Sequence, residues 1–218
     1  MARREEARHR PGGRTPLDRA TVLAAAVAMA DAEGTAGVSM RRLADRLGFA
    51  VMALYNHVRS KDELLALMVD AVAAEVPPPD PGLPPMAAVR AHALDTRAAF
   101  VRHPWAPPLW LESLPGPERV DHMEALLAVL ARSGLDPETA HHGFHAVNNH
   151  VIGYTLQEQA MAFPADDLAD RVAVFLASVS ADTHPLTVAH VHEHLGGRTE
   201  SSFELVLDLI LDGLVRRG

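Results

Sequence analysis

Thirteen histidines and no cysteine set the reactive chemistry of this 218-residue chain. His141 and His145 stand four apart, as do His190 and His194 with His192 between them. On a helix that spacing puts two imidazoles on one face, where they could share a zinc ion if further ligands came from elsewhere. The order His-Val-His-Glu-His is not the H-E-x-x-H arrangement that joins two zinc-binding histidines to a glutamate base. Solvated surface histidines or a pH-sensitive patch need no further ligand. The expectation is therefore no metal and no cofactor. Without cysteine there is no thiol nucleophile, disulfide framework or Cys-based metal site. The sequence also lacks a Walker loop, a G-x-G-x-x-G after a strand and a G-x-S-x-G elbow, so catalysis is not the expected activity.

A different constellation lies in residues 39–57, SMRRLADRLGFAVMALYNH. Ala44 is small where two short helices would cross, Gly48 supplies a turn four residues later, and Leu54 packs back ten residues after Ala44. This spacing is that of a helix-turn-helix, whose second helix enters the DNA major groove. Charge agrees with a polyanionic partner: residues 1–64 carry a net +3 and residues 65–218 a net −11.

The elements that must position this motif read as helices almost throughout, so the expected fold is all-α. Val22, Ala26 and Met29 form one stripe of a helix opened by Leu17-Asp18 and ended at Gly34. Ser39 caps a helix from Met40 to Arg46, and Ala50 to His57 makes another. Ser60-Lys61-Asp62-Glu63 is a capping box, starting a helix that turns Leu64, Leu65, Met68 and Val72 inward. Residues 77–85, PPPDPGLPP, hold six prolines in nine positions and read as a stiff connector. Further helices are expected at 86–102, 117–133, 137–162, 167–181, 185–195 and 202–217. Only short turns fit the proline-rich 103–117. The expected organisation is a basic arm at 1–16, a helix-turn-helix domain at 17–76, the connector at 77–85, and a helical domain at 86–218 for effector binding and dimerisation.

The last helix has Glu204, Asp208 and Asp212 on one stripe and apolar residues around the rest. A helix so apolar must be covered on nearly all sides, so a partner subunit is expected. The expected seam is a four-helix bundle of 137–162 and 200–217 from two copies, with Leu207 and Ile210 in it. No apolar run reaches the roughly 20 residues that span a bilayer, and no apolar stretch follows the basic N-terminus. No membrane partner and a cytoplasmic location are expected.

Residues 17–69 resemble the N-terminal domain of TetR-family transcriptional regulators. The likeness rests on Ala32-Glu33-Gly34, Ser39-Met40-Arg41-Arg42-Leu43-Ala44, Leu54-Tyr55-Asn56-His57-Val58 and Lys61-Asp62-Glu63-Leu64-Leu65. Residues 149–154 and 202–214 resemble the ligand-binding domain of the tetracycline-repressor subgroup. The resemblance implies an all-helical homodimer, a repressor that binds double-stranded operator DNA and is released by a small organic effector. The alternatives are a regulator triggered by a protein and a metal-dependent enzyme on a helical scaffold.

By the same resemblance Arg41 is a base- or phosphate-contacting arginine. Val51, Met52 and Ala53 face the groove, and Tyr55, His57 and Lys61 contact phosphates. Ala-Val-Met-Ala offers no amide or guanidinium to base edges, although methyl and thioether groups can meet thymine methyls. Arg42, Asn56 and the arginines of the N-terminal arm are then expected to share the readout. In the C-terminal half His103 falls where tetracycline repressors place a histidine beside a ligand-bound metal. Their carboxylate on the eighth helix is Gln157 here, and a neutral amide is a poor magnesium ligand. His103, Trp105, Trp110, Asn149 and Gln157 are instead expected to form a largely apolar pocket for an organic effector.

Overall fold

The computed structural model describes residues 17–162, 164–195 and 202–217. The expected arm at 1–16 lies outside the described residues. Every element among the described residues is helical. The chain divides into two compact units, one through Leu64 and one from Leu65.

In the first unit, α1 (Arg19–Glu33) is capped by Asp18, whose carboxylate accepts the Thr21 N–H at 2.7 Å. That hydrogen bond holds the Asp18 carboxyl below its ordinary range, so the cap stays ionised against the positive end of the helix. Val22, Ala26, Met29 and Ala30 form its buried stripe. The two alanines let the next helices approach closely. The Ser39 hydroxyl accepts the Arg42 N–H at 3.2 Å and starts α2 (Met40–Leu47), which buries Met40, Leu43 and Ala44. Gly48 ends it at φ 72°, a left-handed conformation that costs glycine no Cβ clash. The turn leads into α3 (Val51–Tyr55), shorter than expected, which sinks Leu54 completely.

α4 (Lys61–Ala73) begins in the first unit and continues into the second. The Ser60 hydroxyl accepts the Glu63 N–H at 3.0 Å, as a capping box requires. The Glu63 carboxylate takes the Arg59 N–H at 2.7 Å, one residue before the expected Ser60 donor.

The second unit contains the rest of α4, with α5 (Pro85–Arg102), α6 (Ala106–Glu112), α7 (Pro117–Ala131), α8 (Pro137–Ala160), α9 (Ala165–Ser178), α10 (Pro185–Leu195) and α11 (Phe203–Val215). The proline stretch 77–85 lies inside this unit. α5, α7, α8 and α11 surround its core, with Phe100, Leu130, Val151, Phe203 and Leu207 among the buried side chains. α8 and α11 meet at Gly143, where an added Cβ would stand 3.0 Å from the Leu214 side chain.

Two expectations about α11 need correcting. Leu207 is fully buried in its own chain, so it lies in this unit's core and not in a seam. The exposed apolar residues are Leu205, Leu209 and Val215. The acidic stripe is also partly engaged within the chain, because Arg90 on α5 pairs with Glu204 and Asp208, each at 2.7 Å.

Candidate nucleic-acid interface and effector cavity

Around the turn, Arg41, Arg46, Asn56 and Arg59 are exposed. Met52 is 73% exposed and Tyr55 41%, while Val51, Ala53 and His57 are half-buried. Residues 39–61 hold five basic side chains and one acid. The surface is therefore a short apolar helix edge with cations around it, suited to a groove lined by phosphates.

Three of the basic side chains are engaged within the unit, Arg59 through an ion pair of its Nε with the Glu63 carboxylate at 3.5 Å. Arg42 donates to the Glu33 carboxylate at 2.7 and 3.0 Å and to the Gly37 carbonyl at 2.7 Å. Gly37 is small for this reason: a Cβ there would lie 2.8 Å from the Glu33 Cβ. Without DNA the Arg42 fork joins the end of α1 to α2. The Lys61 ammonium reaches the Thr35 carbonyl at 3.4 Å and stays exposed, which leaves two of its three donors for a phosphate.

The second unit holds a cavity of about 200 Å³. Trp110, Leu111, Met123, Leu126, Phe144 and Ile152 give it an apolar wall. Its polar lining is His92, Thr96, Arg119, His122 and Asn148, with no carboxylate. The His92 and His122 rings stack at 5.2 Å, and the His92 Nδ1 meets the Pro77 carbonyl at 3.2 Å. Burial pushes the His92 imidazole below its ordinary value, outweighing that carbonyl, so the ring is neutral near pH 7. The His122 Nδ1 is buried without a hydrogen-bond partner. A largely apolar site with a few polar groups is what an organic ligand uses for orientation.

Arg119 ties the cavity to the surrounding helices. Its guanidinium donates to the carbonyls of Trp110 (3.1 Å), Ser113 (3.3 Å) and Leu114, and it lies over the Trp110 ring at 5.4 Å. Burial depresses its affinity for a proton while Asp70 opposes the shift, and an arginine stays charged regardless.

Of the five residues expected to bind an effector, only Trp110 lines this cavity. His103 is buried, with its Nε2 3.2 Å from the Glu75 carboxylate and its ring 5.9 Å from that of Trp105. Asn149 and Gln157 lie exposed on α8, Asn149 next in sequence to the lining residue Asn148 and Gln157 five residues beyond Ile152. Sequence reasoning missed His92, Thr96, Arg119, His122 and Asn148. The signal was polar residues on otherwise apolar stripes: His92 and Thr96 interrupt Val89 and Phe100, and His122 precedes Leu126 by four.

The rings of His141 and His145 are 4.6 Å apart on the exposed side of α8. No group of three or more histidines or carboxylates suited to a metal occurs among the described residues, and the side chain of His194 lies outside them. Among the described residues no helix is long and apolar enough to cross a membrane.

Residues 22–68 match the model of bacterial regulatory proteins of the tetR family, and residues 79–217 match that of the tetracyclin repressor-like C-terminal domain. A relative named HTH-type transcriptional repressor DrrR1, from Streptomyces coeruleorubidus, is 37% identical over 212 residues, covering 91% of this chain and 76% of the relative. The tetracycline repressor protein class A from transposon 1721, in Escherichia coli, is 27% identical over 93% of each chain. Among solved structures, the Streptomyces coelicolor TetR family protein ActR in complex with actinorhodin superposes with a TM-score of 0.79 at 30% identity, over 92% of this chain and 96% of that one.

Proposed function

Because the chain belongs to the TetR family of bacterial transcriptional regulators, we propose that it represses by holding operator DNA as a homodimer and lets go when a small organic effector fills the cavity of its second unit. The observation that carries this reading is one chain holding both an exposed, cation-flanked α3 and a partly open, largely apolar cavity. Arg41, Tyr55, Asn56, His57 and Lys61 then anchor the phosphates, and Val51, Met52 and Ala53 face the bases. Arg42 contributes by holding α2 in place. The effector contacts are Trp110, His92, His122 and Asn148 in place of Asn149 and Gln157. The exposed apolar edge of α11, Leu205 and Leu209, together with the outer face of α8, forms the seam between two copies. The protein acts in the cytoplasm and carries out no catalysis.

Release follows from α4, which passes without a break from the first unit into the second. An effector that shifts α4 would change the separation of the two recognition helices. Half-sites lie about 34–36 Å apart, so a change of several ångströms costs one half-site its contacts. The effector must favour the released state by about 1–3 kcal/mol. The cavity lining, which holds the Arg119 cation and no carboxylate, favours an organic molecule over a metal complex.

The test is selection of an operator from random DNA with the full chain, followed by a screen for compounds that raise thermal stability and release that operator. Selection of no sequence above background would overturn the reading.

A further inference from the structure

We infer that α3 reads its operator through the C5-methyl groups of thymine, with Met52 as the residue that selects them. This rests on the proposal that α3 enters the major groove and names what it meets there.

Residues 50–53, Ala-Val-Met-Ala, carry no side-chain donor or acceptor. Ala50 is exposed, Met52 is 73% exposed, and Val51 and Ala53 are half-covered, whereas Leu54 takes the inward position. Met52 is therefore not part of the core, and a large apolar side chain at the tip of a cation-flanked surface needs an occupant of matching chemistry. On α2 the Arg42 guanidinium is already engaged with Glu33 and Gly37.

The occupant follows from the groove. Each base pair presents donors and acceptors there, and the thymine methyl is the one apolar feature. A thioether chain packed on that methyl leaves no polar group stranded. Packed on the cytosine N4 or the adenine N6 amine, it would deprive a donor of water and give nothing back. Selection therefore combines attraction to thymine with rejection of exposed amines. Methionine suits the task because its unbranched chain adapts to the methyl position. Arg41, Arg46, Arg59 and Lys61 supply the phosphate attraction that presses this apolar edge into the groove.

Deoxyuridine keeps every pairing edge of thymidine and removes only the methyl. With the operator selected by the full chain, single thymine-to-deoxyuridine replacements should weaken binding by roughly fourfold at each contacted methyl, the equivalent of one buried methyl group. In Met52→Ala the same replacement should cost nothing further, and Met52→Leu should keep the dependence. Because Met52 is exposed, neither variant threatens the fold. An operator bound equally well with all thymines replaced, or a methyl dependence that survives Met52→Ala, would overturn the inference while leaving the repressor reading intact. Selection of no operator at all would overturn both.

Discussion

Asp70 on α4 caps α7. Its carboxylate accepts the N–H groups of Glu118 at 3.2 Å and Arg119 at 3.1 Å, and one of its oxygens stands 3.7 Å from the Arg119 Nε. Both side chains are buried. Gly116 sits against the same carboxylate, where a Cβ would come within 2.5 Å. The helix that enters the DNA-binding unit is thus joined to a residue lining the cavity by one charged, hydrogen-bonded contact.

Removing the acid should be costly. Asp70→Ala leaves the Arg119 charge buried without its counter-charge, a loss of about 3–5 kcal/mol. Asp70→Asn keeps an acceptor for the α7 start and should lose less. Urea denaturation of the three proteins checks this, and a loss below 1 kcal/mol for Asp70→Ala would show that the contact is not holding the unit.

The two neighbouring arginines of α2 should behave differently. Arg41→Ala should weaken operator binding and lower the slope of log affinity against log salt by about 1, the signature of one lost phosphate contact. Lys61→Ala should do the same. Arg42→Ala should leave the salt slope alone and lower stability by about 0.2–1 kcal/mol, as expected of an exposed ion pair. Binding titrations at several salt concentrations separate the two outcomes.

On α11, Leu205→Asp with Leu209→Asp should give folded monomers, because both residues are exposed in the single chain. Leu207→Ala should instead reduce stability by about 2–5 kcal/mol without first separating subunits, since Leu207 fills the core. Sedimentation together with circular dichroism reads both; a dimer unchanged by the double substitution would move the seam elsewhere.

The two tryptophans divide the optical signal. A cavity-bound effector should quench Trp110 and survive Trp105→Phe, whereas Trp110→Ala should weaken its binding by at least tenfold. Fluorescence titration of the single-tryptophan variants makes the comparison. Quenching confined to Trp105 would locate the effector beside His103 instead.

Acidification should erode stability through His92. Its folded pKa is lowered by burial, against the Pro77 carbonyl and Asp95, with His122 adding to the lowering. The unfolded chain therefore takes up a proton first. Stability is complete above about pH 6.5 and falls as pH drops below it, until the folded ring also protonates. Denaturation midpoints from pH 7.5 to 5 should show this slope, and His92→Gln should flatten it.

The local signals in the sequence led directly to structure. Asp18, Ser39, Ser60 and Asp136 each start a helix because a capping side chain and the amides it satisfies lie within three residues. The helix-turn-helix was legible for the same reason: Ala44, Gly48 and Leu54 span ten residues. The cavity was not, because His92, Arg119 and Asn148 come from three helices whose relative rotation no local spacing encodes. Asn148 lines the cavity while Asn149, one residue on and about 100° further around α8, does not. The pairing of Arg42 with Glu33 and Gly37 was not legible either, because those partners lie at the end of α1 and in the turn after it. Arg90 lies more than a hundred residues from Glu204 and Asp208, and no reading of the last helix alone could have supplied it.

The course of α4 bears on how such a regulator can be recombined. The proline stretch 77–85 looks like the natural place to cut and splice. A cassette ending at residue 76 would carry the buried Met68, Val69, Val72 and Ala73 away from the unit to which they belong. It would also remove Asp70 from the start of α7. A chimera that gives this effector response a new operator should therefore be joined within α4, near Leu64–Leu65, so that each donor keeps the half of the helix its own core was built around.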